Sequence, residues 1–247
     1  MSQSLFSAGR TWISLAWKKF VQLLRIVWAD RTLRFIFATL LAIDLCWTLW
    51  FGVAKFLYNT GINLTLYQLR YLRITEEGSW PERFNYVKTL VLVILLGYLA
   101  RSTRQFIYLA LTIVFTAVLL DDSLAIHERL GIYFARILEI RPMFGLRARD
   151  FGEVLTWAIF GVILVPLIVA GLARSERTHV VTGAALLVPF GAMLFCAIFM
   201  DQIYHVLKDA FFCCGILLDM IEDGGEMVTT TLALALAAAL VKHKSFD

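Results

Sequence analysis

Six windows of this chain meet or approach the roughly 20 consecutive apolar residues that a helix needs to cross a bilayer. No other feature restricts the fold as much. In hydrocarbon, each backbone N–H and C=O must be satisfied by protein, and windows of this length achieve that as helices. The windows account for a chain that is 60% hydrophobic and only 17% charged, where soluble domains carry about 25% charged residues. The spans are expected at about 35–57, 86–99, 106–126, 151–172, 180–203 and 225–240. They form a single membrane domain over residues 35–247, with no room for a soluble domain. Residues 206–221 are apolar but carry Lys208, Asp209 and Asp219, which suggests a re-entrant or interfacial helix. Span 2 is short unless it tilts little or its flanking Arg83 and Lys88 snorkel.

Residues 1–34 read as a cytoplasmic or interfacial amphipathic segment. Trp12, Ala16, Phe20, Leu23 and Val27 recur at helical spacing, and Ser14, Lys18, Gln22 and Arg25 take the opposite side. Aromatic residues on one face and cations on the other suit a helix in the headgroup layer, or one docked on a membrane-protein partner. The segment is too long and too charged for a signal peptide. The fold class is therefore all-α, a polytopic integral membrane protein with about six transmembrane helices plus an N-terminal amphipathic interfacial helix. Membrane lipids are its expected surroundings, and a bacterial inner membrane its expected location. Nucleic acid is excluded as a partner, because the net charge of +4 comes from cations at span ends rather than from a basic face. Basic turns at 101–104, 174–177 and 242–244 place both termini in the cytoplasm. The five arginines of 129–150 then fall outside, against that rule.

Ionisable residues at membrane depth are costly and usually functional. Span 3 ends in Asp121-Asp122 followed by His127-Glu128, and span 4 begins with Gly152-Glu153. Span 5 ends in Asp201 and His205, and span 6 is entered through Glu222-Asp223-Gly-Gly-Glu226. Alternating crossings bring all four ends to one face of the membrane. At 1.5 Å per residue, Asp121 and Glu226 each lie about 24 Å from the cytoplasmic edge of a core roughly 30 Å thick. Asp122, His127 and Gly152-Glu153 are also matched in order by Asp201, His205 and Gly225-Glu226, an arrangement that an internal repeat or coincidence explains equally well.

Carboxylates and two imidazoles from several helices are what a divalent metal needs, and zinc, iron or manganese suits these residue types. The expected ligands are His127, Glu153, His205 and Glu226, with Asp122 and Asp201 bridging or orienting them. Glu128 and Glu222 are the candidate general bases for metal-dependent hydrolysis, or redox chemistry, on a lipid-like substrate. A structural network paired with arginines of 129–150 competes with this reading. So do a proton or cation transporter, with Asp44 in span 1 as relay, and an accessory subunit of a larger membrane complex.

Overall fold

A computed structural model of the chain describes residues 2–62, 64–207 and 214–243. Its long helices are α1 (Ser2–Ala29), α2 (Arg31–Asn59), α4 (Trp80–Thr103), α5 (Phe106–Leu124), α7 (Ala148–Arg174), α8 (Arg177–Leu194) and α10 (Cys214–His243). Shorter helices are α3 (Thr65–Gln68), α6 (Ile126–Ile137) and α9 (Asp201–Leu207), and a π-helical turn at Phe195–Met200 joins α8 to α9. Among the described residues, six helices are long and apolar enough to cross a membrane, α8 through α9 counting as one. Large apolar side chains such as Leu49, Val53, Val162, Ile163 and Val169 point outward on these helices, as lipid contact requires.

Local chemistry explains the breaks. Asp30 ends α1 and caps α2, accepting hydrogen bonds from the Thr32 and Leu33 amides at 3.0 Å. It also lies 2.8 Å from both Lys242 and His243 at the end of α10. Ser79 caps α4, with Pro81 in the first turn. Arg104 and Ala125, both left-handed at φ 56 and 49, end α4 and α5.

The helix expected over 11–29 extends back to Ser2 and packs along α8 and α10. Phe20, Leu23 and Val27 are buried there, while Trp12, Trp17 and Trp28 stay exposed. Val206 and Leu207 belong to α9, and Lys208, Asp209 and the rest of 208–213 lie outside the described residues. Gly215–Ile221 form the opening turns of α10 rather than a separate re-entrant or interfacial helix. Gly224 and Gly225 do not break α10, because each serves a close contact. A Cβ on Gly224 would collide with Thr48 of α2, and one on Gly225 with Cys196 of the π turn. Small residues let membrane helices approach in this way. Further along α10, Leu236, Ala237, Ala239 and Leu240 are fully enclosed by neighbouring helices.

At mid-bundle, Lys88 does not snorkel. Its ammonium donates to Asp44 Oδ1 at 2.7 Å, to the Met227 carbonyl at 2.9 Å and to Thr231 Oγ1 at 3.1 Å. Thr231 in turn donates to Asp44 Oδ2 at 2.6 Å. All three ammonium protons are satisfied, and α2, α4 and α10 are tied together through buried side chains. Asp44 therefore has its cation 44 residues away in sequence, while Lys55 pairs with Asp219.

Removing one partner of a buried pair strands the other, at a cost of about 3–5 kcal/mol. Lys88→Met is expected to destabilise the protein by that order in detergent unfolding. Asp44→Asn combined with Lys88→Met should recover much of the loss. Equal loss in the single and double variants would show that the pair is not the tie described.

Candidate functional site

The starts of α4, α7 and α10 meet the ends of α5 and α8 at one end of the bundle, around a cavity of about 200 Å³. Ten carboxyl groups line it. Glu76 and Glu77 come from the segment before α4, Glu82 from α4, Asp122 from α5 and Glu128 from α6. Glu153 comes from α7, Asp201 from α9, and Glu222, Asp223 and Glu226 from α10. Against them the lining holds two cationic or protonatable side chains, His127 and Arg149.

Three of the ten carboxyl groups have partners. Glu76 is held by Arg70 and Arg73, Asp201 lies 3.2 Å from His205, and Glu153 lies 3.6 Å from Arg149. The other seven make no ion pair among the described residues. Glu82 instead accepts from Tyr86, whose hydroxyl also donates to the Asp122 carbonyl at 2.9 Å. The wall is also short of donors. Asn85 Oδ1 and Gln202 Oε1 are buried and accept no hydrogen bond among the described residues, and Glu153 Oε1 faces Arg149 Nε at 3.6 Å, too far for a hydrogen bond. The electrostatic result is visible at Glu77, outside the spans. Its carboxyl is pushed up to about 7 by burial and by the charges of Glu128 and Glu82.

His127 sits on this wall for a local reason. Ala125 turns the chain through a left-handed conformation, and both oxygens of Asp121 then reach back to His127. The His127 amide donates to Asp121 Oδ1 at 2.8 Å, and its Nδ1 lies 2.8 Å from Oδ2. The ring packs at 5.6 Å from that of Trp157. Asp121, poorly placed at the end of a helix dipole, is thus answered by its own downstream histidine rather than by an arginine of 129–150. A carboxylate on one ring nitrogen also fixes the imidazole's orientation and tautomer.

Glu153 and Glu226 are brought to the wall beside glycines at close contacts. A Cβ on Gly152 would strike the Gly131 carbonyl, which fixes α7 against α6 as Gly225 fixes α10 against the π turn. Such π-helical segments are frequent at functional sites, and here Ala197, Ile198, Asp201 and Gln202 line the chamber.

Five of the six expected metal ligands therefore share the chamber, namely Asp122, His127, Glu153, Asp201 and Glu226. So do the two candidate bases, Glu128 and Glu222. His205 does not. It lies one turn beyond Asp201, where its Nε2 also faces Arg147, with Asp150 3.8 Å away. Asp150 is itself buried and held by Arg147. Among the described residues, no three His, Cys, Asp or Glu side chains stand close enough together to hold a metal ion directly. Asp44, the candidate relay, is closed into the Lys88–Thr231 network. Asn85 and Gln202 were not anticipated. Asn85 shares a face with Glu82 and Thr89 at spacings of three and four, the pattern that marks it.

Burial lowers the affinity of His127 for its proton, but the hydrogen bond and charge of Asp121, with Glu153 and Asp122, outweigh it. Its pKa rises from 6.5 to about 9. Because the folded value lies above the unfolded one, the stabilisation is complete below pH 6.5 and is lost as pH rises through about 9. It amounts to something on the order of 3 kcal/mol. Thermal unfolding in detergent should fall across that window, and Asp121→Asn should flatten the fall. An unchanged slope in that variant would show that the Asp121–His127 pair does not set it.

No curated protein and no solved structure matches the chain. Over residues 35–241, a stretch running from the first span to the last, it matches the family described as Domain of unknown function (DUF8692), and it belongs to that family.

Proposed function

We propose that this membrane protein binds a divalent cation in the acidic chamber. One observation carries the reading: ten carboxyl groups face a single cavity, and seven of them have no ion-pair partner among the described residues. Two unit charges 6 Å apart repel by about 3 kcal/mol at an effective dielectric of 20. Such a cluster needs protons or a bound cation to persist. The buried acceptors of Asn85 and Gln202, with no donor among the described residues, favour a positively charged occupant as well. Of zinc, iron and manganese, a wall dominated by carboxylate and amide oxygen suits manganese best.

Within this reading Glu128 and Glu222 stand on the wall as proton acceptors, and the Asp121–His127 pair as a proton donor. These are the groups a hydrolysis of a lipid-like substrate would use. The basic turns carrying Arg101, Arg104, Arg174 and Arg177 lie at the opposite helix ends, so the chamber is assigned to the extracytoplasmic side. Arg147 and Arg149, exceptions to the charge rule, lie beside Asp150 and Glu153 as local counter-charges.

Manganese binding to purified protein, read from loss of the free-ion electron paramagnetic resonance signal, tests the proposal. Saturable binding is expected. Glu153→Gln combined with Glu226→Gln should weaken it at least tenfold, with His205→Ala close to wild type. Absence of saturable binding of manganese, zinc or iron would overturn it.

A further inference from the structure

We infer that the chamber holds its cation with the water shell retained, so that the carboxylates contact waters rather than the metal. This inference rests on the cation-binding reading above and names the form of the ion. The first ground is size. A cavity of about 200 Å³ far exceeds a bare ion. A water needs only about 10–15 Å³ of such space, so the cavity has room for an ion with its waters.

The second ground is the spacing of the donors. Although ten carboxyl groups face the space, no three ligating side chains among the described residues are grouped around one point, so waters would fill most positions around an ion there. Glycine contacts hold that spacing. Gly152 against Gly131, Gly224 against Thr48 and Gly225 against Cys196 set α7 and α10 against their neighbours, so these walls resist closing inward.

The third ground is hydrogen bonding. A hydrated divalent ion presents O–H donors in every direction and no acceptor of comparable strength. The chamber is its complement, with acceptors from five spans and few donors. Asn85 is 8% exposed, lines the chamber, and offers a buried oxygen that accepts no hydrogen bond among the described residues, while Glu153, 7% exposed, meets its one nearby cation, Arg149, only at 3.6 Å. Magnesium, which gives up its waters reluctantly, is the natural occupant, and manganese is its spectroscopic substitute.

Cobalt(III) hexaammine separates the alternatives. It is octahedral, presents N–H donors at its surface and does not exchange its ligands, so it mimics a hydrated ion and cannot be coordinated by protein. With manganese bound to the full-length protein, the hexaammine is expected to displace it at concentrations within about tenfold of those magnesium needs. Asn85→Leu and Glu153→Gln should each weaken both competitors together.

If manganese binds and magnesium displaces it, but a hundredfold excess of hexaammine does not, the metal is directly ligated. The inference then fails while cation binding stands. If the hexaammine displaces manganese equally well from wild type and from both folded variants, it acts through general surface charge, and the inference also fails. The wild-type displacement decides the matter if either variant does not fold. If no divalent cation binds, the underlying reading itself falls.

Discussion

A charge in a bilayer must meet its opposite close at hand, and the sorting of charges by that rule organises this protein. Outside the chamber, buried carboxylates have named partners. Asp44 has Lys88, Asp219 has Lys55, Asp150 has Arg147 and Asp121 has His127. These pairs join elements distant in sequence or close a turn, and each leaves little charge unanswered. Within the chamber the rule is relaxed for seven carboxyl groups at once. Structural ion pairing therefore accounts for one set of acids and leaves the other without counter-charges.

That contrast can exist only if packing overrides repulsion. The walls are long helices anchored elsewhere: α10 through its enclosed Leu236–Leu240 stretch and through Thr231, α7 through the Gly152–Gly131 contact. The acids ride on elements whose positions are fixed below them. Mutual repulsion thus cannot spread the walls without undoing contacts in the apolar part of the bundle. Glycine does structural work at Gly152, Gly224 and Gly225 because a methyl group would force helices apart. Two of these glycines directly precede chamber glutamates, which explains the resemblance between Gly152-Glu153 and Gly225-Glu226 without requiring a repeat.

The spans were legible in the sequence because apolar length is a local property, and the shared level of Asp122, Glu153, Asp201 and Glu226 followed from alternation of the crossings. What was not legible depended on distant partners. Lys88 looked like a snorkelling flank because span 2 was read from its apolar residues alone, although its acceptors lie on α2 and α10. His127 and His205 looked equivalent, yet one is turned onto the wall by Asp121 while the other, one turn farther out, is taken by Arg147. Gly224 and Gly225 would by themselves weaken a helix. Only the neighbouring Thr48 and Cys196 show why they are needed in a continuous one.

The same sorting supports binding over passage through the membrane. Beneath Asn85, the next polar layer is the Asp44–Lys88–Thr231 network, with Lys88 and Asp44 2% and 0% exposed. Its acceptors and donors satisfy one another, so it offers an incoming cation no free ligand. Entering it would mean separating a buried pair worth about 3–5 kcal/mol to the fold. Past it, α10 presents Leu236, Ala237 and Leu240, fully enclosed in an apolar cluster with Leu99, Ile107 and Leu111. Carboxyl groups line the chamber, and the neutralised Asp44–Lys88 pair lies beyond them toward the apolar part of the bundle. That geometry favours an ion that arrives, acts or is held, and leaves by the way it came.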